Sequence, residues 1–127
     1  MTNYVLNYEN YELEIAADNL IQKLGVPAHL KGFRYLRTAI RCAVEDEEVL
    51  DGMMKRLYPM VAEIHKTTAS RVERSIRNAI DSAWVRGRES EMQLLVNNNC
   101  GKPTNSEIIA YASNKIRLRF LVDVYNE

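Results

Sequence analysis

Two cysteines in 127 residues, Cys42 and Cys100, are too few and too far apart for a disulfide scaffold or a zinc knuckle. Cys42 falls on an amphipathic stretch and reads as a buried thiol; Cys100 reads as an incidental loop thiol. His29 and His65 are isolated, so no set of histidines, cysteines and carboxylates has metal-ligand spacing. The phosphate-cradling patterns GxGxxG and GxxxxGK[ST] are missing, and so is GxSxG. No metal, no cofactor and no enzymatic activity are therefore expected. No apolar run approaches the roughly 18–20 residues of a membrane span. The opening "MTNYVLNYENYELEI" has neither a basic n-region nor a continuous apolar h-region. The expectation is a cytoplasmic chain with no membrane partner.

Net charge is missing too: 17 Lys and Arg balance 17 Asp and Glu. Evenly spread, that balance argues against a polyanionic partner. It is not evenly spread. Residues 1–20 carry Glu9, Glu12, Glu14 and Asp18 and no basic residue, and "EDEEVLD" (45–51) is a second acidic block. Lys66, Arg71, Arg74, Arg77, Arg86 and Arg88 cluster at 66–88, and Lys102, Lys115, Arg117 and Arg119 at 102–119. Across a Debye length of about 8–10 Å, an anionic partner feels the local patch rather than the total.

The length fits one domain with a real core. Strand-like alternation is scarce and helical periodicity common, so the expected fold class is all-α. Leu13, Ala17, Leu20, Ile21 and Leu24 form one stripe over 10–24, closed by Gly25. "GVPAHLKG" (25–32) reads as a connection. Phe33, Leu36, Ile40, Ala43 and Val44 give a helix over 33–46. A further helix is expected from about Glu47 to Tyr58, with Val49, Leu50, Met53, Met54 and Leu57 facing in. Pro59 interrupts it and suits the first position of a short helix over 59–66. A long helix follows and closes at Gly87, then a short one over 89–97. Thr104 and Glu107 form a capping box that starts the last helix, with Ile108, Ile109, Ala112, Ile116, Phe120 and Leu121 on its packed face.

The stretch "TTASRVERSIRNAIDSAW" (67–84) carries the functional question. At about 100° per residue, Val72, Ile76, Ala79, Ile80 and Ala83 share one third of the circumference. Ser70, Arg74, Asn78 and Asp81 lie opposite, with Arg71 and Arg77 on the flanks; Trp84 reads as a core or rim anchor. A short helix, a tight turn and a longer helix make a helix-turn-helix layout, with small Ala62 at the crossing. The glycine often found in such a turn is replaced by Lys66 or Thr67. Thr67 or Thr68 caps the second helix, and Ser70 with Glu73 offers another capping box. In a major groove, arginine pairs with guanine O6 and N7, which suits Arg71 and Arg74. Glu73 either accepts from a cytosine N4 or pairs with Arg77 four residues on. Thr67, Thr68, Ser70, Arg77 and Asn78 have the chemistry for phosphate oxygens. The competing reading is an ordinary solvated face.

"GVPAHLKGFRYLRTAI", "LYP", "TTASRVERSIRNAI", "AWVRG" and "KPTNSE" resemble the C-terminal DNA-binding effector domain of stage zero sporulation protein A, a sporulation response regulator. The resemblance covers roughly residues 18–120. It implies a compact bundle of about six helices containing a helix-turn-helix. It also implies a short asymmetric promoter box in double-stranded DNA, often bound by head-to-tail tandem copies or a homodimer, with RNA polymerase as a further partner. Base readout is implied at Arg71, Glu73 and Arg74. Backbone contact is implied at Thr67, Ser70, Arg77, Lys102, Asn105 and Ser106, and Thr68 joins them by its chemistry. A lysine beside helix N-terminal amides is also a ready anion site on physical grounds. The protein is then expected at the nucleoid when bound.

The expected organisation is an acidic, Tyr-rich extension over 1–17 and the effector domain over 18–127. Seventeen residues are too few for the receiver domain that precedes this effector, so control by a receiver aspartate is not expected within this chain. Tyr4, Tyr8 and Tyr11 have helical spacing and suggest a helical extension packed on the domain, or a partner surface. "FLVDVYNE" runs past the close match and offers apolar residues to the core or a partner. The alternative function is a protein-interaction module that pairs with a full-length regulator or the transcription machinery.

Overall fold

The computed structural model describes residues 4–6, 9–86, 91–96 and 101–123. Among them are six α-helices: α1 (Asn10–Lys23), α2 (Lys31–Glu45), α3 (Tyr58–His65), α4 (Ala69–Arg86), α5 (Glu91–Val96) and α6 (Asn105–Phe120). Two short strands, β1 (Tyr4–Leu6) and β2 (Leu121–Asp123), pair antiparallel with Leu6 opposite Leu121 and Tyr4 opposite Asp123. The all-α bundle expected from periodicity is therefore observed, with one small ladder added.

α2 is the centre of the bundle and packs on α1, α4 and α6. Leu36, Ala39, Ile40, Ala43 and Val44 are fully buried along it. Gly32, in its first turn, is a packing residue rather than part of a connection. A Cβ there would lie 2.2 Å from the Ser75 carbonyl oxygen and 2.6 Å from Ala79 Cβ. Only glycine lets the two helices approach this closely.

Two helices end in the same hydrogen-bond pattern. After α1, Gly25 N–H donates to Gln22 O and Val26 N–H to Ile21 O, with Gly25 at φ 92. After α3, Lys66 N–H donates to Glu63 O and Thr67 N–H to Ala62 O, with Lys66 at φ 55 and ψ 49. Both are Schellman closures, in which one left-handed residue satisfies the orphan carbonyls. Lysine takes the glycine's place at a cost of about 1 kcal/mol, and the turn forms without the glycine that the layout usually carries.

The single helix expected over Glu47–Tyr58 is not present. The chain makes a 3-10 turn over Glu47–Asp51, breaks at Gly52, and makes a π turn over Met53–Leu57 that runs into α3. Pro59 has no N–H and its ring crowds the carbonyl four residues back, so the wider turn just before it relieves the clash. The changed phase turns Met54 out to 57% exposure while Val49 and Leu57 stay buried. The helical N-terminal extension is also corrected. Tyr4 lies in β1 and α1 begins only at Asn10; aromatic and β-branched residues suit a strand once a partner strand is near. Tyr11 is exposed on α1, and Tyr8 lies outside the described residues. α1 runs across residue 17, with Leu13 and Ala16 in the same core as Leu20. Gly87, expected to close α4, and residues 89, 90 and 97, expected in the next helix, lie outside the described residues.

His65, the last residue of α3, joins that helix to α2. Its Nε2 lies 2.7 Å from Thr38 Oγ1, and its ring meets Tyr35 edge-on at 4.9 Å. Burial lowers its pKa from 6.5, and the charges of Arg34 and Arg37 lower it further.

Two predictions follow from this packing. Gly32→Ala should destabilise the fold by about 3 kcal/mol, because neither the Ser75 carbonyl nor Ala79 can move aside cheaply; urea unfolding measures it. For His65, the folded pKa lies below the unfolded one, so its stabilising contribution is complete above about pH 6.5. It is lost as pH falls through the lower folded value, when the unfolded chain binds the proton first. The loss of stability on acidification from pH 6.5 should accordingly be shallower in His65→Gln than in the wild type.

Candidate nucleic-acid interface

α4 begins where Thr68 caps it: Thr68 Oγ1 accepts the Arg71 N–H at 3.2 Å, and its carbonyl accepts the Val72 N–H at 3.0 Å. Of the candidate caps Thr67, Thr68 and Ser70, Thr68 is the one used, and Ser70 already lies inside the helix. Thr67 is half-buried, its N–H committed to the close of α3. Val72, Ile76, Ala79, Ile80 and Ala83 are at most 1% exposed. That apolar stripe holds the helix against α2 and α3 and leaves Ser70, Arg71, Arg74, Arg77 and Asn78 exposed. Trp84 is half-buried against the core. Arg71 and Arg74 make no ion pair among the described residues.

The cations further along are held differently. Arg77 Nε lies 3.3 Å from Glu73 Oε1, four residues back. Lys102 Nζ pairs with Asp81. Glu73 thus takes the intrahelical partner that its spacing offered, and its other carboxylate oxygen is buried without a hydrogen-bond partner among the described residues.

The N-terminus of α6 comes up beside these pairs. Thr104 Oγ1 accepts the Glu107 N–H at 3.2 Å, and Glu107 Oε1 accepts the Thr104 N–H at 3.0 Å, which is the expected capping box. The amides of Asn105 and Ser106, in the first turn, have no intrahelical acceptor to reach. The Asn105 side chain donates to the Tyr58 hydroxyl and to the Glu73 carbonyl oxygen, both at 3.2 Å. One amide therefore ties α6 to the first turn of α3 and to the second turn of α4. Burial raises the Tyr58 pKa, the nearby Glu73 charge adds to it, and the Asn105 bond opposes it.

Between α4 and α6 lies an open cleft of about 380 Å³, whose walls include Glu73, Arg77, Asp81, Lys102, Asn105 and Ser106. The residues singled out in the sequence therefore fall into two adjoining groups. Thr67, Thr68, Ser70, Arg71 and Arg74 occupy the turn and the start of α4. Glu73, Arg77, Lys102, Asn105 and Ser106 surround the cleft. Two features were not legible beforehand. Asp81 reads in the sequence as one more solvent-facing residue, and only the fold brings Lys102, 21 positions away, onto it. Asn105 reads as a free phosphate donor, yet its side-chain amide is already engaged within the bundle.

Elsewhere the chemistry is sparse. No three His, Cys, Asp or Glu converge on a metal position among the described residues. No helix among them is long and apolar enough to cross a membrane. Cys42 is half-buried and burial pushes its thiol pKa up, away from reactivity; Cys100 lies outside the described residues.

The family model described as "Sporulation initiation factor Spo0A C terminal" matches residues 17–116. That span takes in α2 to α5, the first three quarters of α6 and all of the cleft-lining residues. A helical bundle with an arginine-bearing helix behind a tight turn, matched over most of its length by this one model, belongs to the Spo0A C-terminal family of DNA-binding effector domains.

Proposed function

We propose that this chain is a sequence-specific transcriptional regulator that reads a short promoter box with the start of α4 in the major groove. The observation that carries the reading is the exposure of Arg71 and Arg74 on the first two turns of that helix, free of ion pairs among the described residues. A guanidinium with no carboxylate to leave is available for the bidentate contact to guanine. Glu73 is assigned with them to base readout. Thr67, Thr68, Ser70, Arg77, Lys102, Asn105 and Ser106 are assigned to the DNA backbone, Asn105 through its first-turn backbone amide and Ser106 through its amide and hydroxyl. The assignment gives DNA contact to residues 18–127 and none to the acidic extension 1–17. Head-to-tail copies or a homodimer on the DNA, and contact with RNA polymerase, belong to the same proposal.

The test is a set of alanine variants titrated by fluorescence anisotropy on a sporulation-type box and on a scrambled duplex, across a salt series. Arg71→Ala and Arg74→Ala should each weaken box binding by roughly 1–3 kcal/mol and change scrambled binding little. Equal losses on both duplexes would remove Arg74 from the readers. Arg77→Ala should weaken both duplexes alike and reduce the slope of log K against log salt by about one unit. If the wild type binds both duplexes weakly and equally, the protein-interaction module becomes the better account.

A further inference from the structure

The described cations of the interface divide into two kinds. Arg71 and Arg74 stand without carboxylates, while Arg77 and Lys102 each hold one, Glu73 and Asp81. The Lys102 pair is the more telling of the two. It joins the loop before α6 to the fourth turn of α4, and both partners are about two-fifths exposed. A partly solvated pair contributes little to stability, so holding the fold together is a weak reason for it. Its position is at the wall of the cleft, beside Asn105 and Ser106 of the first turn of α6.

We propose that Asp81 is an electrostatic guard on Lys102. It neutralises the lysine in the free protein and must yield it to a phosphate oxygen on binding, which lowers affinity for duplex DNA of any sequence. The proposal rests on the DNA-binding reading above. A phosphate arriving at Lys102 meets no net positive charge until the lysine leaves Asp81 and swings across. Fewer counterions are released than an unpaired lysine would release, so the salt dependence is shallower. Arg71 and Arg74 carry no such guard. Backbone affinity is thereby held down while the arginine base contacts keep their full strength. In a chain of zero formal net charge, that keeps the free protein from being spread over random DNA, where only backbone contacts operate.

The test is a double-mutant cycle of Asp81→Asn and Lys102→Ala, read on the box and scrambled duplexes across the salt series, with far-UV circular dichroism melts to establish folding. Asp81→Asn should bind both duplexes about fivefold more tightly, with a salt slope steeper by about one unit. In the Lys102→Ala background the same substitution should change neither quantity. Unchanged or weaker binding by folded Asp81→Asn would overturn the proposal. So would a gain that persists without Lys102, which would mark a general charge effect. These outcomes presuppose that the wild type binds DNA; no binding by any variant to either duplex would instead sink the DNA-binding reading, and this proposal with it.

Discussion

Position 32 has no room for a side chain. The Ser75 carbonyl and the Ala79 methyl of α4 occupy the space where a Cβ would stand, so α2 lies directly on the middle of α4. Everything at the interface inherits from that contact. α2 also carries α1 and α6 on its other faces, and it fixes the end of α3 through Thr38 and His65. The helix bearing the arginines is thus held along its apolar stripe, while its far side is left to solvent. The tight turn at Lys66 then sets where α4 begins, and Thr68 caps the Arg71 amide in its first turn.

The electrostatics are arranged with equal economy. A chain with no net charge can still present a positive face, because acid and base are segregated along it. Much of the acid is internally engaged: Asp46 and Glu48 with Arg56, Glu47 with Arg117, Asp18 and Glu14 with Arg37, Glu91 with Lys115. Most of these pairs lie away from the start of α4. On α4 itself, Glu73 and Asp81 hold Arg77 and Lys102, while Arg71 and Arg74 pair with no carboxylate among the described residues. The arrangement separates two unpaired arginines at the start of the helix from two cations held by carboxylates further along.

Much of the fold was legible because helices announce themselves locally. The stripes over 10–24 and 33–46, the buried set Val72, Ile76, Ala79, Ile80 and Ala83, and the Thr104–Glu107 box all depend on residues within a few positions of each other. What was not legible depends on contacts between distant residues or on competing local effects. Gly32 looks like loop punctuation until α4 is beside it. The 47–58 segment has a helical apolar pattern, but Gly52 and Pro59 together favour a 3-10 turn and a π turn. Tyr4 to Leu6 becomes a strand only because Leu121 to Asp123 lies alongside. At the interface, the exposed arginines follow from helical phase alone. The engagement of Asn105 with Tyr58 and Glu73, and of Lys102 with Asp81, requires the assembled bundle.

The central claim is that this chain reads base sequence by itself, and selection from a randomised duplex library tests it most directly. The wild-type chain would be incubated with the library at physiological salt, and the bound fraction recovered, amplified and sequenced over successive rounds. The account predicts enrichment of one short asymmetric box with guanines at fixed positions, lost when Arg71 and Arg74 are both replaced by alanine. A recovered pool indistinguishable from the starting library would contradict it.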